Sequence, residues 1–133
     1  MRILGIDYGD VRTGIAISDP MQMIATGLKT INTKDMNVLI EEIKLIIKEY
    51  NPEKIIIGYP KNMNGTVGPR AEKTDMFINE LSTHTNLPVI RWDERLSSVM
   101  AHKTLHEKGK SPSRNKDSVD RIAACYILQS YLG

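Results

Sequence analysis

Residues 4–17 read LGIDYGDVRTGIAI. Two short apolar runs flank a stretch of glycine and charge. RILGID, residues 2–7, reads as a first β-strand, and TGIAIS, residues 13–18, as a second. The connection Tyr8–Arg12 has the length of a hairpin loop, and Gly9 can take the backbone angles such a turn needs. One feature of the hairpin is odd. Asp7 stands directly after Ile6, at the end of the strand, with Gly5 and Gly9 around it. A turn acid is the ordinary reading, and a metal ligand is the sharper one.

Outward from the hairpin, a third and weaker strand fits TGLKTIN, residues 26–32. The period then changes. Met36, Leu39, Ile40, Ile43, Ile46, Ile47 and Tyr50 recur at helical spacing, with Asp35 placed to cap the start and Asn51-Pro52 to stop the run. KIIIGYP, residues 54–60, is apolar enough to be a central strand covered on both faces. Asn62–Gly68 is a loop with two glycines, and a helix is predicted from about Pro69 to His84. LPVIRW, residues 87–92, is another strand. A helix from about Ser97 to Lys108 ends at Gly109, and a basic, turn-rich KSPSRNK follows. The last helix runs from about Asp117 to Leu132, with Val119, Ile122, Ala123, Tyr126 and Ile127 on one stripe. The order is β-β-β-α-β-α-β-α-α. Early strands pair as hairpins and later ones arrive through helical crossovers. The predicted fold is α/β: a mixed five-stranded sheet, three antiparallel sequential strands then two parallel crossover strands, flanked by helices.

The totals are consistent with one domain over residues 1–133, since 41% hydrophobic residues can build one core. Basic residues number 18 against 16 acidic, a formal charge of +2, so the distribution of charge matters more than its sum. A single cysteine, Cys125, excludes an intramolecular disulfide and a cysteine-rich zinc site. It lies in the apolar run IAACYIL and reads as a buried structural thiol. Gly5, Asp7 and Asp10 break any N-terminal signal segment, and no stretch approaches the roughly 20 apolar residues of a membrane span. A cytoplasmic protein with no membrane partner is expected.

Acids fall where a core pattern would rather have none. Asp7 ends strand one, Asp93 and Glu94 follow LPVIRW, and Asp120 sits in the last helix beside its apolar stripe. Strand one is central in the predicted sheet and LPVIRW is parallel to it, so their C-terminal ends share the edge where open α/β sheets bind ligands. Small residues at Ala123 and Ala124 would let the last helix approach closely and bring Asp120 to the same place. Three converging carboxylates repel unless a cation sits among them, and Mg²⁺ prefers such hard oxygen ligands. Two such ions about 4 Å apart can hold the attacking and leaving oxygens of a phosphodiester. Each acid has an ordinary reading too. Asp93 and Glu94 could cap a helix, Asp120 could be solvated, and Asp117 could be an extra ligand or, preferably, the helix N-cap.

Four segments in order, GIDYGDVRTGIAISD, IIIGYPKNMNGTVG, WDERLSS and VDRIAACYILQSYL, resemble the YqgF/RuvX-type family of ribonuclease-H-fold proteins. The resemblance runs from Arg2 to Leu132. That family is described both as Holliday-junction resolvases and as nucleases maturing the 5′ end of pre-16S ribosomal RNA. The resemblance implies a ribonuclease-H-like fold and phosphodiester hydrolysis dependent on Mg²⁺ or Mn²⁺. It matches Asp7 to the family's first-strand acid, Glu94 to the second acidic motif and Asp120 to the acid of the last helix. It favours Glu94 over Asp93 as a ligand, although Asp93 stays a candidate. Val11 stands where the family commonly has a basic residue. No histidine is needed for this chemistry. His102 and His106, four residues apart, read as surface positions on a helix.

A nucleic-acid partner is expected to be held through its phosphates. His102–Lys116 carries five Lys/Arg and one acid, with Lys110, Arg114 and Lys116 at its end. Arg12, Lys61, Asn62, Asn64, Arg70 and Arg95 are expected in loops at the same edge, as contacts that position rather than specify. Aromatic residues are 5% of the chain, too few for an extended base-stacking platform. Tyr8 and Tyr59 could each stack one base, with packing the preferred role. Three other readings compete. GIDYG also looks like the phosphate loop of the actin, sugar-kinase and heat-shock ATPase group, but no second such loop is visible. A non-catalytic nucleic-acid-binding protein gains nothing from acids placed near phosphates. A resolvase of four-way DNA usually needs a two-fold dimer, whereas precursor ribosomal RNA suits a monomer or weak homodimer. Precursor RNA is the preferred substrate.

Overall fold

A computed structural model of the chain describes residues 1–61, 64, 65, 67–94 and 116–133, and only the backbone of 116–119. Five strands and three helices follow one another: β1 (Ile3–Asp7), β2 (Arg12–Ser18), β3 (Ala25–Asn32), α1 (Met36–Tyr50), β4 (Lys54–Tyr59), α2 (Pro69–Ser82), β5 (Val89–Asp93) and α3 (Lys116–Leu132). The sheet order is β3-β2-β1-β4-β5, with β1 in the middle. β1–β2 and β2–β3 are antiparallel, while β4 lies parallel to β1 and β5 parallel to β4. This is the mixed sheet expected from the change of period.

Local chemistry explains the ends of α1. The Asp35 side chain accepts a hydrogen bond from the Asn37 backbone N–H at 2.9 Å. Asn51 takes the left-handed conformation (φ 49°, ψ 56°), and its N–H donates to the Ile47 carbonyl. Pro52 then prevents continuation.

Boundaries shift by one or two residues from expectation, with β5 starting at Val89 rather than Leu87. α2 ends at Ser82, with Thr83 as its C-cap, rather than at His84. β5 runs through Asp93, so that acid lies inside the strand. α3 begins at Lys116, which puts Asp117 in its first turn rather than at its N-cap. The helix expected over Ser97–Lys108 lies outside the described residues.

Strand alternation divides the core. Leu4, Ile6, Ile15, Ile17, Ile55 and Ile57 face α1 and α2, where Leu39, Ile40, Ile43, Phe77 and Leu81 complete one cluster. Ile3, Ala16 and Ile56 face the other way, against Ala124, Ile127 and Leu128 of α3. The uninterrupted Ile55–Ile57 run therefore serves both cores.

The α3 face is lined with glycine. A β-carbon added at Gly5 would stand 2.8 Å from Leu128 Cβ, one at Gly14 2.0 Å from the Asp120 carbonyl oxygen, and one at Gly58 2.5 Å from Ile127 Cδ1. Ala123 and Ala124 are the reciprocal small residues on the helix. Backbone thus lies almost against backbone, and α3 carries Asp120 down to the sheet surface.

Candidate active site

Asp7 ends the central strand, and its register partner is Gly14. Residues 3, 5 and 7 share the face that meets α3. In β5 the same face is occupied by Ile90 and Trp92, which pack with the α3 cluster, while Val89 packs with the opposite core. That parity carries Glu94, one residue past the strand, to the α3 side. The Glu94 N–H donates to the Tyr59 carbonyl at 3.3 Å, so the ladder extends to this residue. Glu94 is only 6% exposed. Asp93, paired with Tyr59 in the parallel ladder, is exposed. The structure therefore separates two adjacent acids, burying Glu94 beside Asp7 and leaving Asp93 at the surface.

Asp120 arrives from α3. Its Oδ2 accepts a hydrogen bond from Arg12 Nε at 3.1 Å. Arg12 opens β2, two residues before Gly14, so it shares the α3 face rather than lying in a loop. Among the described residues, no three acids close into a ready-made metal cage. Asp7 and Glu94 share a side-chain hydrogen bond. Asp120 lies near enough for its charge to act on Asp7, but it is engaged by Arg12.

The electrostatics of this group are unfavourable without a cation. Burial holds the Asp7 carboxyl well above the usual carboxylate range. The charge of Glu94, the shared hydrogen bond and the charge of Asp120 push it further, against the opposing pull of Arg70. Glu94 Oε2 is buried and has no hydrogen-bond partner. It lies over Gly58, where an added β-carbon would be 2.6 Å from it. Glycine thus makes the room this oxygen occupies. A hard divalent cation fits what these residues lack: it would neutralise Asp7 and Glu94 and satisfy the orphaned oxygen.

The other expected positions fall in different surroundings. Arg70 is exposed in the first turn of α2, with its charge felt at Asp7. Lys61 and Asn64 are exposed, and Lys116 opens α3. Asn62, Arg95, Lys110 and Arg114 lie outside the described residues, as do His102 and His106. Tyr8 stacks on Phe77 at 4.6 Å with an 8° interplanar angle. The Tyr59 hydroxyl donates to Asp75 at 2.8 Å, and Arg91 lies over its ring. Both tyrosines are therefore packed. Burial pushes the Cys125 thiol up from its ordinary pKa, and Sγ donates to the Ala25 carbonyl at 3.2 Å, as a structural thiol would. Sequence reasoning missed two partnerships. Arg12–Asp120 joins residues 108 apart, and Lys73 donates to Asp10 at 3.1 Å across 63 residues. Neither leaves a local signal.

A five-stranded mixed sheet with Asp7 at the C-terminal end of its central strand, Glu94 just past the parallel edge strand and Asp120 on the helix that covers them is a ribonuclease-H-like arrangement. The family described as RuvX, Holliday junction resolvase, matches residues 1–133, and the chain belongs to it. A relative from Ruminiclostridium cellulolyticum, named "Putative pre-16S rRNA nuclease", is 51% identical over 133 residues, covering 99% of this chain and 94% of its own. Among solved structures, Thermus thermophilus RuvC in complex with a Holliday junction superposes with a TM-score of 0.59 at 14% identity, covering 100% of this chain and 96% of that one. Fowlpox virus resolvase bound to Holliday junction DNA gives 0.56 at 16% identity, covering 99% and 97%. At these identities the two structures share the fold. Membership of this family displaces the reading of GIDYG as an ATP-binding loop. Among the described residues no helix is long and apolar enough to cross a membrane.

Proposed function

We propose that the chain is a divalent-metal-dependent endonuclease that processes the 5′ end of precursor 16S ribosomal RNA. The observation that carries this reading is the pairing of Asp7 with Glu94, whose buried Oε2 has no partner, beside the charge of Asp120. Asp7, Glu94 and Asp120 are the residues that would hold Mg²⁺ or Mn²⁺. Such an ion, when bound, lowers the pKa of water and stabilises charge on a phosphate in hydrolysis. Each residue of the chain has a separate task. Glu94 offers an oxygen already stripped of water, so little desolvation remains to be done. Asp7, whose carboxyl is held above the usual range by burial and by the neighbouring acids, would supply a second oxygen ligand to such an ion. Arg12 holds the Asp120 carboxylate in place from β2. Arg70 and Lys61, which line one pocket, position the phosphate backbone together with the exposed Asn64, without reading bases. Asp93 takes no part.

The name of the 51% identical relative supports precursor ribosomal RNA. The family description favours a second reading, cleavage of four-way DNA, which would require a two-fold dimer to cut both strands. A gel cleavage assay separates them. It offers a precursor 16S 5′-leader RNA and a synthetic four-way junction side by side with Mg²⁺ or Mn²⁺, using Asp7→Asn as control. Cutting of the RNA alone, lost in the variant, is the expected result. Paired symmetric nicks in the junction would establish the resolvase. Cleavage of neither would refute the reading, as would cleavage surviving in Asp7→Asn.

A further inference from the structure

Immediately beyond Asp7, on the α2 side of the sheet edge, lies an open pocket. It is lined by Tyr8, Gly9, Asp10, Arg70, Lys73 and Thr74. Arg70 and Lys73 are three residues apart on α2 and so share one helix face. The Tyr8 ring is locked against Phe77. At Gly9 a β-carbon would fall 2.2 Å from the Arg12 carbonyl oxygen. That part of the wall is therefore bare backbone. Two cations, one phenol and bare backbone meet a single carboxylate, Asp10, which accepts the hydrogen bond from Lys73.

We propose that this pocket seats a backbone phosphate of the bound nucleic acid next to the one being cut, with Lys73 as its principal contact and Asp10 as a built-in competitor that Lys73 leaves when the phosphate arrives. The proposal deepens the nuclease reading and rests on it. Three features favour it over an ordinary surface ion pair. The partners come from the β1–β2 connection and from α2, and they are brought together at the rim beside Asp7. Arg70, whose charge reaches Asp7, also lines this pocket, so one cation links the acids to the seat. The exchange is also cheap. Lys73 and Asp10 are 57% and 64% exposed, and such solvated pairs are weak. A phosphate can therefore displace the carboxylate, while the carboxylate still lowers affinity for anions that do not fill the pocket.

The test is fluorescence anisotropy with a labelled single-stranded RNA and a labelled four-way DNA junction, in EDTA so that nothing is cut, across a salt series. Lys73→Gln is expected to weaken binding about fivefold at low salt. It should also reduce the slope of log K against log salt by about 0.7 on RNA and 0.9 on DNA, the loss of one phosphate contact. Asp10→Asn is expected to tighten binding by roughly two- to fivefold, the range of an exposed ion pair released. The double variant should bind like Lys73→Gln, because Asp10 acts through Lys73, and Lys73→Arg should restore the slope. Wild-type affinity and slope in Lys73→Gln would overturn the seat while leaving the nuclease reading intact. Weaker binding by Asp10→Asn would overturn the competitor role. Absence of salt-dependent binding by the wild-type chain to either probe would overturn the seat together with the reading beneath it.

Discussion

Gly14→Ala tests whether α3 is what brings Asp120 to the site. A β-carbon at Gly14 would stand 2.0 Å from the Asp120 carbonyl oxygen, 2.4 Å from its carbonyl carbon and 3.1 Å from the Arg121 nitrogen. All three are backbone atoms, so no rotamer relieves the overlap. Ordinary contact begins near 3.4 Å, and the helix must therefore lift by about 1.4 Å at Asp120. Overpacking of this kind costs about 1–3 kcal/mol. For a chain of this size that lowers Tm by roughly 4–12 °C. The functional effect should be larger than the stability effect, because Gly14 is the register partner of Asp7. Lifting α3 pulls Asp120 away from the very residue it must approach. A misplacement of about 1 Å can cost on the order of 100-fold in rate. The assay is single-turnover cleavage at a temperature where circular dichroism shows both proteins folded. Gly27→Ala is the control. There the nearest atom is the Arg121 side-chain Cγ at 3.3 Å, which can give way, so stability should stay within about 0.5 kcal/mol and activity should persist. If Gly14→Ala melted and cut like the wild type, the close seating of α3 would be refuted. If it melted lower yet cut normally, Asp120 would have no part in the chemistry.

Asp7→Asn should abolish cleavage by roughly 10²–10³-fold or more and yet raise Tm at neutral pH in EDTA. The Asp7 pKa is raised in the folded state above its ordinary value of 3.8, so the folded chain binds the extra proton between those two values. Stability falls as pH rises through that window, and the cost of the buried charge persists above it. The variant's advantage should vanish at low pH. A lower Tm than wild type at pH 7–8 in EDTA would contradict this account. Mn²⁺ should raise the Tm of the wild type, and Glu94→Gln should lose that rise and the activity together, like Asp7→Asn. Asp93→Asn should keep that rise and cut within about threefold of wild type; equal loss in both would show that strand parity does not decide the ligand. Phe77→Ala removes a fully buried ring and the platform under Tyr8. It should cost about 3–5 kcal/mol in urea unfolding, and a cost below about 1 kcal/mol would mean the two rings do not pack as described.

The sheet was legible because its signals are local. The hairpin is written in residues 4–17, and the change to helical period after Asn32 announces the first crossover. The triple isoleucine of β4 could only be a strand covered on both sides. The acids stand out in the sequence because they sit where those patterns predict apolar residues, and the structure puts Asp7, Glu94 and the charge of Asp120 in one neighbourhood. What stayed hidden depends on pairing. Gly5, Gly14 and Gly58 each look like a weakness in a strand when read singly. Only the register, which sets Gly5 opposite Ala16 and Ile56 and puts Gly14 opposite Asp7, shows them as one bed for a helix. The choice between Asp93 and Glu94 is of the same kind. Alternation runs through both rows of VIRWDE, and either could face the site. Glu94 is the one buried on the α3 side because Ile90 and Trp92 pack against α3, an element that lies 23 residues or more further along the chain. A glycine whose parity matches a strand-end acid on the neighbouring strand is therefore informative. It marks the face on which backbone will approach, and so the face on which that acid will find its partners.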